Sequence, residues 1–289
     1  MLSDYYYAIE LALLAAAIFA VSGVIQKRVA DKMRDVRTAL FVVGFGILPL
    51  LVMYALYFNA LSTYALILAV ISGIFFMGGD FLYFDSLEKE QVSRAYSIGI
   101  VQPLLIIIFS VAVLGEHITV LEAAAGAIMI FGLGFLDTER KRLRVDRKMT
   151  PAILGNISWA IYWMFLSSSI TSSAQIAAPI IISRTVGFAA IILVFAVLRN
   201  RKTERIRKNT NIKHMALLGA ATGLLDGTGN GIWAVTVTLK NLSLASMFQL
   251  LSPFIVIAIA YLVYRERLSK VQAAGIIIAV IGAVLLAVG

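Results

Sequence analysis

The sequence contains no cysteine and little charge. The absence of cysteine from the 289 residues excludes disulfide bonds, cysteine-ligated metals and thiol nucleophiles. Asp, Glu, Lys and Arg make up 14%, against about 25% in soluble domains, while apolar residues make up 61%. A soluble domain of this length has too small a core to bury so much apolar surface. The composition therefore excludes a soluble enzyme, a disordered chain and a soluble nucleic-acid-binding domain.

Long apolar runs predict an all-α integral membrane protein. A helix that crosses a bilayer needs about 20 predominantly apolar residues, and ten runs meet this requirement. The connections between them leave no room for a soluble catalytic domain. The ten predicted transmembrane helices are 5–26, 39–58, 64–87, 95–114, 119–136, 151–171, 177–198, 214–239, 244–264 and 270–288.

The chain repeats itself with an offset of 150 residues. Each copy holds five predicted spans, and an odd number forces the second copy to enter the membrane upside down, as in many secondary transporters. We therefore expect two inverted five-helix repeats, 1–136 and 151–289, joined by a basic cytoplasmic linker, 137–150. The matching pairs include Gly73 and Gly223, Gly79 and Gly229, Pro103 and Pro253, Glu116 and Glu266, and Gly132 and Gly282.

Basic residues are concentrated on one side of this topology. Of the 25 Lys and Arg, 23 lie in or beside the loops that follow odd-numbered spans; only Arg184 and Lys240 lie elsewhere. By the positive-inside rule those loops are cytoplasmic and both termini are outside. This predicts a multi-pass protein of the cell (plasma) membrane. Topology accounts for the net charge of +9, so no nucleic-acid partner is expected.

The end of each repeat carries a shared motif. The first copy has Gln102-Pro103 and then Leu114-Gly115-Glu116, and the second has Ser252-Pro253 and then Arg265-Glu266. With this spacing, the chain resembles the drug/metabolite transporter superfamily, specifically the EamA-type permeases. The resemblance implies a ten-helix permease or exporter of small metabolites, with a central cavity between the repeats and no enzymatic activity. The second copy departs from the family at Arg265, where a small residue is usual.

Two acids lie deep within predicted spans. Asp226 is near the middle of span 8, and Asn230 is four residues on, on the same helix face. Asp80 in span 3 is the repeat mate of Asn230. Intramembrane acids usually mark functional sites, so Asp80, Asp226 and Asn230 are candidates for binding a substrate ammonium or a coupling proton. The alternative is a buried polar pair that holds spans together.

Aromatic side chains repeat at helical spacing in span 6. Asn156, Trp159 and Trp163 are spaced i, i+3 and i+7 and share a face. The two indoles lie too deep for an interfacial aromatic belt. They are either core packing or a stacking wall for an apolar, aromatic or cationic ligand. Trp233, seven residues after Asp226, is open to the same two interpretations.

Pro103 and Pro253 fall in mid-span and predict helix kinks, because each removes one backbone hydrogen bond. Tyr96, Gln102 and Gln249 cluster near them as candidate cavity wall, with a structural role equally open. Arg184, about seven residues into span 7, could pair with Asp226, hold a substrate carboxylate, or snorkel towards the membrane surface.

Missing motifs limit the chemistry. The sequence has no phosphate-binding loop and no zinc-protease motif, and its two histidines lie near span ends. We therefore expect neither ATP, a cofactor nor a metal. The predicted function is secondary transport of small metabolites, amino acids or related amphiphiles, by alternating access. A lipid or lipid-linked-sugar translocase is the alternative. Expected partners are a small-molecule substrate, the lipid bilayer and a coupling proton, with the chain a monomer or a homodimer.

Overall fold

The fold is built from helices alone in the part of the chain that the structure describes. This structure, a computed structural model, describes residues 2–33, 35–89, 101–135, 150–198, 211–239, 242–264 and 269–288. The helices of the first half are α1 (Leu2–Met33), α2 (Asp35–Tyr54), α3 (Thr63–Lys89), α4 (Val101–Ala112) and α5 (Val120–Gly134). A 3-10 turn, Ala55–Tyr57, follows α2.

The helices of the second half are α6 (Thr150–Ser173), α7 (Ala177–Leu198), α8 (Ile212–Leu239), α9 (Leu242–Gln249), α10 (Ser252–Tyr264) and α11 (Lys270–Val288). Six of the described helices, α1, α2, α3, α6, α7 and α11, are long and apolar enough to cross a membrane. The all-α membrane fold with two repeats is thereby confirmed.

The predicted span 244–264, expected to kink at Pro253, is divided into two helices at that place. α9 ends at Gln249, and α10 begins at Ser252. Pro253 has no N–H to donate to the carbonyl of Gln249. The amides of Leu250 and Leu251 turn back to the carbonyls of Met247 and Phe248 instead.

Inverted pairs of helices form the centre of the bundle. α3 packs along α6, and their repeat mates α8 and α1 pack along each other. α2 crosses α8 so closely that a Cβ on Gly227 would collide with the backbone of Gly46. Small residues at such crossings let helix backbones meet directly and exclude lipid from the interior.

Side-chain hydrogen bonds cap the helices that begin at the turns between spans. Thr119 and Glu122 form a complete capping box at the start of α5, and Ser269 and Gln272 exchange the equivalent bonds at the start of α11. The carboxylate of Glu116 accepts hydrogen bonds from the backbone N–H groups of Leu242 and Ser243, both 2.9 Å long. The glutamate of the first repeat thus caps a helix of the second.

The ends of the bundle differ in charge. We call the end where α1 and α3 finish and α6 and α8 begin the basic end, because the Lys- and Arg-rich loops of the sequence connect there. The other end is called the opposite end. α3 runs towards the basic end and α6 runs away from it. The positions of Asp80 on α3 and of Trp159 and Trp163 on α6 can therefore be compared by their distance from the basic end.

Candidate functional site

A central cavity lies between the two halves of the bundle. Its volume is about 110 Å³, enough for several water molecules. Helices α1, α2, α3, α4, α6 and α8 and the α9–α10 turn all contribute to its wall. Eight of the predicted candidates line it, namely Asp80, Gln102, Asn156, Trp159, Trp163, Asp226, Asn230 and Gln249, together with Pro103 and Pro253.

Asp80 is the most buried acid at this cavity. It lies on α3 and is only 4% exposed. Its Oδ1 accepts a hydrogen bond of 2.9 Å from Nε1 of Trp159 on α6. Its Oδ2 is buried and has no partner in the part of the chain that the structure describes. Unpaired buried carboxylate oxygens are costly, and Asp80 lines the cavity, so its Oδ2 is an acceptor that a cavity ligand, water or proton could satisfy.

Asp226 is held by an ion pair. Its Oδ2 lies 3.0 Å from Nη1 of Arg184, whose side chain is fully buried on α7. The guanidinium carbon also lies 3.6 Å from the centre of the Phe76 ring, a cation–π contact. Of the three interpretations of Arg184, pairing with Asp226 is the one observed. The side chain does not snorkel, and it does not line the cavity.

Aromatic rings form one wall of the cavity. The ring centres of Tyr83 and Trp159 are 4.7 Å apart, as are those of Tyr162 and Trp163. Trp233 does not line the cavity; its ring packs on Trp163 with the centres 3.8 Å apart. The tryptophans of span 6 are therefore both core and wall, since each contacts other rings and also faces the cavity.

Amides complete the polar lining. Nδ2 of Asn156 donates to the carbonyl of Ala152, and Nδ2 of Asn230 donates to the carbonyl of Asp226, both over 2.8 Å. Each leaves its carbonyl oxygen for a further partner. Oε1 of Gln249 is buried and without a partner within the described ranges. Pro103 lies in the first described turn of α4, and Tyr96 lies outside the described residues.

The site carries an excess of negative charge. Asp80 and Asp226 are two carboxylates, and Arg184 supplies one positive charge next to them. When all three are ionised, the net charge is −1. Because an unbalanced buried charge is costly, the arrangement favours a bound proton or a cationic group. No group of three His, Asp or Glu side chains is placed to hold a metal ion within the described ranges.

A second and larger cavity opens at the opposite end of the bundle, with a volume of about 800 Å³. We call it the vestibule. Tyrosine, hydroxyl and amide side chains, with Glu116, make up its polar lining. The polar residues are Tyr54, Tyr57, Asn59, Glu116, Ser167, Thr171, Gln175 and Thr238.

Sequence reasoning missed several cavity residues. Phe76, Tyr83 and Phe84 line the cavity and are spaced −4, +3 and +4 from Asp80 on α3. This helical spacing could have identified them. Tyr162 is 1% exposed and also lines the cavity. It lies three residues after Trp159, so the same helical spacing could have identified it too.

Comparisons with known proteins identify the family and support the fold. The sequence model of the EamA-like transporter family matches residues 7–136 and again residues 149–288. A solved structure described only as "Crystal structure of protein" superposes with a TM-score of 0.70 at 17% identity. The match covers 98% of this chain and 96% of the other, and at this identity it supports the fold alone. The comparison with curated proteins finds no match.

Proposed function

We propose, from the premise that the chain belongs to the EamA-like transporter family, that it moves a small metabolite bearing an amino group through the membrane by alternating access. Membership makes it a multi-pass membrane transporter of the drug/metabolite type. Amino acids and related amphiphiles are the substrate class that the cavity favours. The proposed location is the plasma membrane, with the basic end cytoplasmic.

Asp80 carries the proposal. Its Oδ2 has no partner among the described residues, and Asp80 lines the same cavity as the rings of Trp159, Tyr83 and Phe84. An ammonium group has three donors and a positive charge, so it matches a carboxylate acceptor and attractive aromatic faces together. The net charge of −1 favours the same ligand, because a monovalent cation balances the site.

A coupling proton fits the same charge balance. When no amine is bound, a proton on one of the two carboxylates would neutralise the site. Asp80 is the better candidate, because Asp226 already has Arg184 as its counter-ion at 3.0 Å. Exchange of a proton for an ammonium at Asp80 would couple substrate movement to the proton gradient.

The two repeats supply the moving parts. We propose that residues 1–136 and 151–289 move against each other, with the linker 137–150 outside the packed interface. The cavity takes residues from both halves, including Asp80 from α3 and Asp226 from α8. A relative movement of the halves therefore changes the ligand site directly.

Thermal unfolding with a ligand panel is the first test. The purified protein would be screened against amino acids, aromatic amines, nucleosides and lipid headgroups. A ligand present at 100 times its dissociation constant stabilises the folded state by about 2.7 kcal/mol. We expect amine-bearing compounds to raise the unfolding temperature and Asp80→Asn to remove the shift.

Asp85→Asn is the matched control, because Asp85 lies on the same helix and does not line the cavity. It should keep the ligand shift. Stabilisation by nucleosides or lipid headgroups alone would contradict the amine proposal. Headgroup-dependent scrambling in liposomes would favour the translocase alternative. Amine counterflow in proteoliposomes that persists in Asp80→Asn would contradict the role of Asp80.

A further inference from the structure

Two tryptophans separate the central cavity from the vestibule. Trp163 on α6 lines the cavity, and Ser167, four residues on, lines the vestibule. Four residues of helix advance about 6 Å. On α8, Trp233 packs on Trp163, and Val237, four residues on, also lines the vestibule. The barrier between the cavities is therefore about 6 Å thick along α6 and, from Asn230 to Val237, about 10 Å thick along α8.

The barrier is closed by ring contact alone at its centre. The indoles of Trp163 and Trp233 are tilted by 50° and are 3% and 1% exposed. Beside them, Tyr54 lines the vestibule, and its hydroxyl donates to the carbonyl of Gly231 over 2.8 Å. An indole carries no charge and its nitrogen is a donor only, so the contact between the two rings is apolar.

Trp233 retains an unmet hydrogen bond in this closed arrangement. Its Nε1–H is buried and has no hydrogen-bond partner among the described residues. Such a donor costs about 1–3 kcal/mol, and buried indole N–H groups usually find an acceptor. Movement of the ring towards the vestibule would place the donor in water. The orphaned donor thus raises the energy of the closed state relative to an open one.

We infer that Trp163 and Trp233 form the gate between the central site and the vestibule, and that the vestibule is the second chamber of the transport route. This inference rests on the proposed transport function. Hydroxyl and amide groups predominate in the polar lining of the vestibule, and both oxygens of its Glu116 are engaged by backbone N–H groups. The second chamber is therefore suited to weak hydrogen bonding of a released polar metabolite, whereas the central site is acidic.

The absence of native cysteine permits a direct test. Two single-cysteine reporters are used: Thr238→Cys in the vestibule, where Thr238 is exposed, and Gln249→Cys at the central cavity. A membrane-impermeant trimethylammonium thiosulfonate is applied to intact cells and to inverted membrane vesicles. The preparation in which Thr238→Cys reacts is the one that presents the vestibule to the reagent.

In that preparation, we expect Gln249→Cys to react slowly with both tryptophans in place. Trp163→Ala or Trp233→Ala should raise its rate about tenfold or more, equivalent to a barrier lowered by about 1.4 kcal/mol. The rate at Thr238→Cys should stay constant. Phe165→Ala is the matched control, because Phe165 lies on the same helix and lines neither the central cavity nor the vestibule; it should leave the Gln249→Cys rate unchanged.

Equal Gln249→Cys rates in the parent and in both alanine variants would overturn the gate. So would an equal rise in Phe165→Ala. If the alanine variants do not fold, the double variant Trp163→Phe with Trp233→Phe replaces them. We expect a smaller rise in the Gln249→Cys rate, and the absence of any rise would overturn the gate. Labelling needs no substrate, so failure of the amine proposal and failure of the gate give different results.

Discussion

Single residues in this protein are constrained by the difficulty of burying charge. Arg184 is fully enclosed, yet Nη1 bonds Asp226 and the guanidinium lies over Phe76. An aromatic face and a carboxylate replace water around the cation. Arg184 therefore fixes Asp226 and leaves Asp80 as the acid with a free oxygen.

Removal of the guanidinium should be strongly destabilising. Arg184→Met keeps the apolar length of the side chain but leaves Asp226 as a buried, unpaired charge. Breaking one partner of a buried pair costs about 3–5 kcal/mol. We expect a large fall in unfolding temperature for Arg184→Met, and recovery of most of it in Arg184→Met combined with Asp226→Leu.

Lys27 and Asp31 provide the comparison for that measurement. They form an i,i+4 pair of 2.7 Å with side chains 17% and 37% exposed. Such exposed helix pairs contribute about 0.3–0.5 kcal/mol, so Asp31→Asn should change the unfolding temperature little. A fall in Asp31→Asn as large as that in Arg184→Met would contradict the view that burial determines the cost.

Many residues of the site were predictable from the sequence, but the contacts that determine its chemistry were not. Asp80, Asp226 and the tryptophans of span 6 were identified by depth and spacing, because charge and large rings are rare at mid-membrane. Which acid keeps a free oxygen depends on Arg184 and Trp159, each on a different helix from the acid it contacts. Sequence spacing carries no information on such contacts between helices.

Helices α3 and α6 approach each other closely at Gly79. A Cβ on Gly79 of α3 would collide with the indole ring of Trp159 on α6. Gly79→Ala should displace the ring and break its hydrogen bond to Asp80. Overpacking of this kind costs about 1–3 kcal/mol. We expect a lower unfolding temperature, altered tryptophan fluorescence and a weaker amine-induced shift.

Gly134→Ala is the matched control on α5, where a Cβ would meet nothing within 4 Å. Because alanine favours helix over glycine by up to about 1 kcal/mol, this variant should be unchanged or slightly stabilised. Normal stability and ligand shift in Gly79→Ala would show that the indole can move without loss. That result would contradict a positioning role for Trp159.

Glu116 of the first repeat is hydrogen bonded to the start of α9 in the second repeat. Its two oxygens accept from Leu242 and Ser243 at the start of α9. Glu116→Gln keeps one acceptor and replaces the other with a donor that faces an N–H. Hydrogen bonds to charged groups contribute about 1.5–3 kcal/mol, so the unfolding temperature should fall.

Glu122→Gln is the control for that prediction. Glu122 completes the capping box with Thr119, and glutamine serves in the same motif. Glu122→Gln should therefore retain its stability. If both variants behave alike, the bridge from Glu116 to α9 contributes no more than an ordinary helix cap.

Element boundaries were largely predictable because the apolar runs are long. The predicted span 177–198 coincides with α7, and 270–288 with α11. The sequence predicted 244–264 as one span with a kink at Pro253, whereas the structure divides it into α9 and α10. A proline removes one backbone hydrogen bond. The two-residue turn at Leu250 and Leu251 also depends on packing, because both leucines lie in one buried cluster with Ala12, Leu244 and Phe254.

At the scale of the whole molecule, the repeat determines the arrangement. An offset of 150 residues between five-span units predicts two inverted copies, and the mate pairs α3–α6 and α8–α1 both form in the structure. The cavities were less accessible to sequence reasoning. The vestibule combines the ends of α2, α6 and α8 with Glu116 and Gln175, and no linear pattern brings these together.

The orientation of the molecule in the membrane gives the last prediction. With 23 of the 25 Lys and Arg in or beside the loops at one end, translocation of that end is disfavoured. The opposite end, with the vestibule, should therefore face outward. In a bacterial host, green fluorescent protein fused after Gly289 should be dark and alkaline phosphatase fused there should be active.

Fusions within the linker 137–150 should behave in the reverse way, which controls for expression. Neutralising the basic residues Arg140, Lys141, Arg142, Arg144, Arg147 and Lys148 together should weaken this preference, because the rule depends on positive charge in short loops. A fluorescent fusion at Gly289 in the parent chain would place the vestibule in the cytoplasm. Release from the central site past Trp163 and Trp233 would then be uptake, whereas the predicted orientation makes it export.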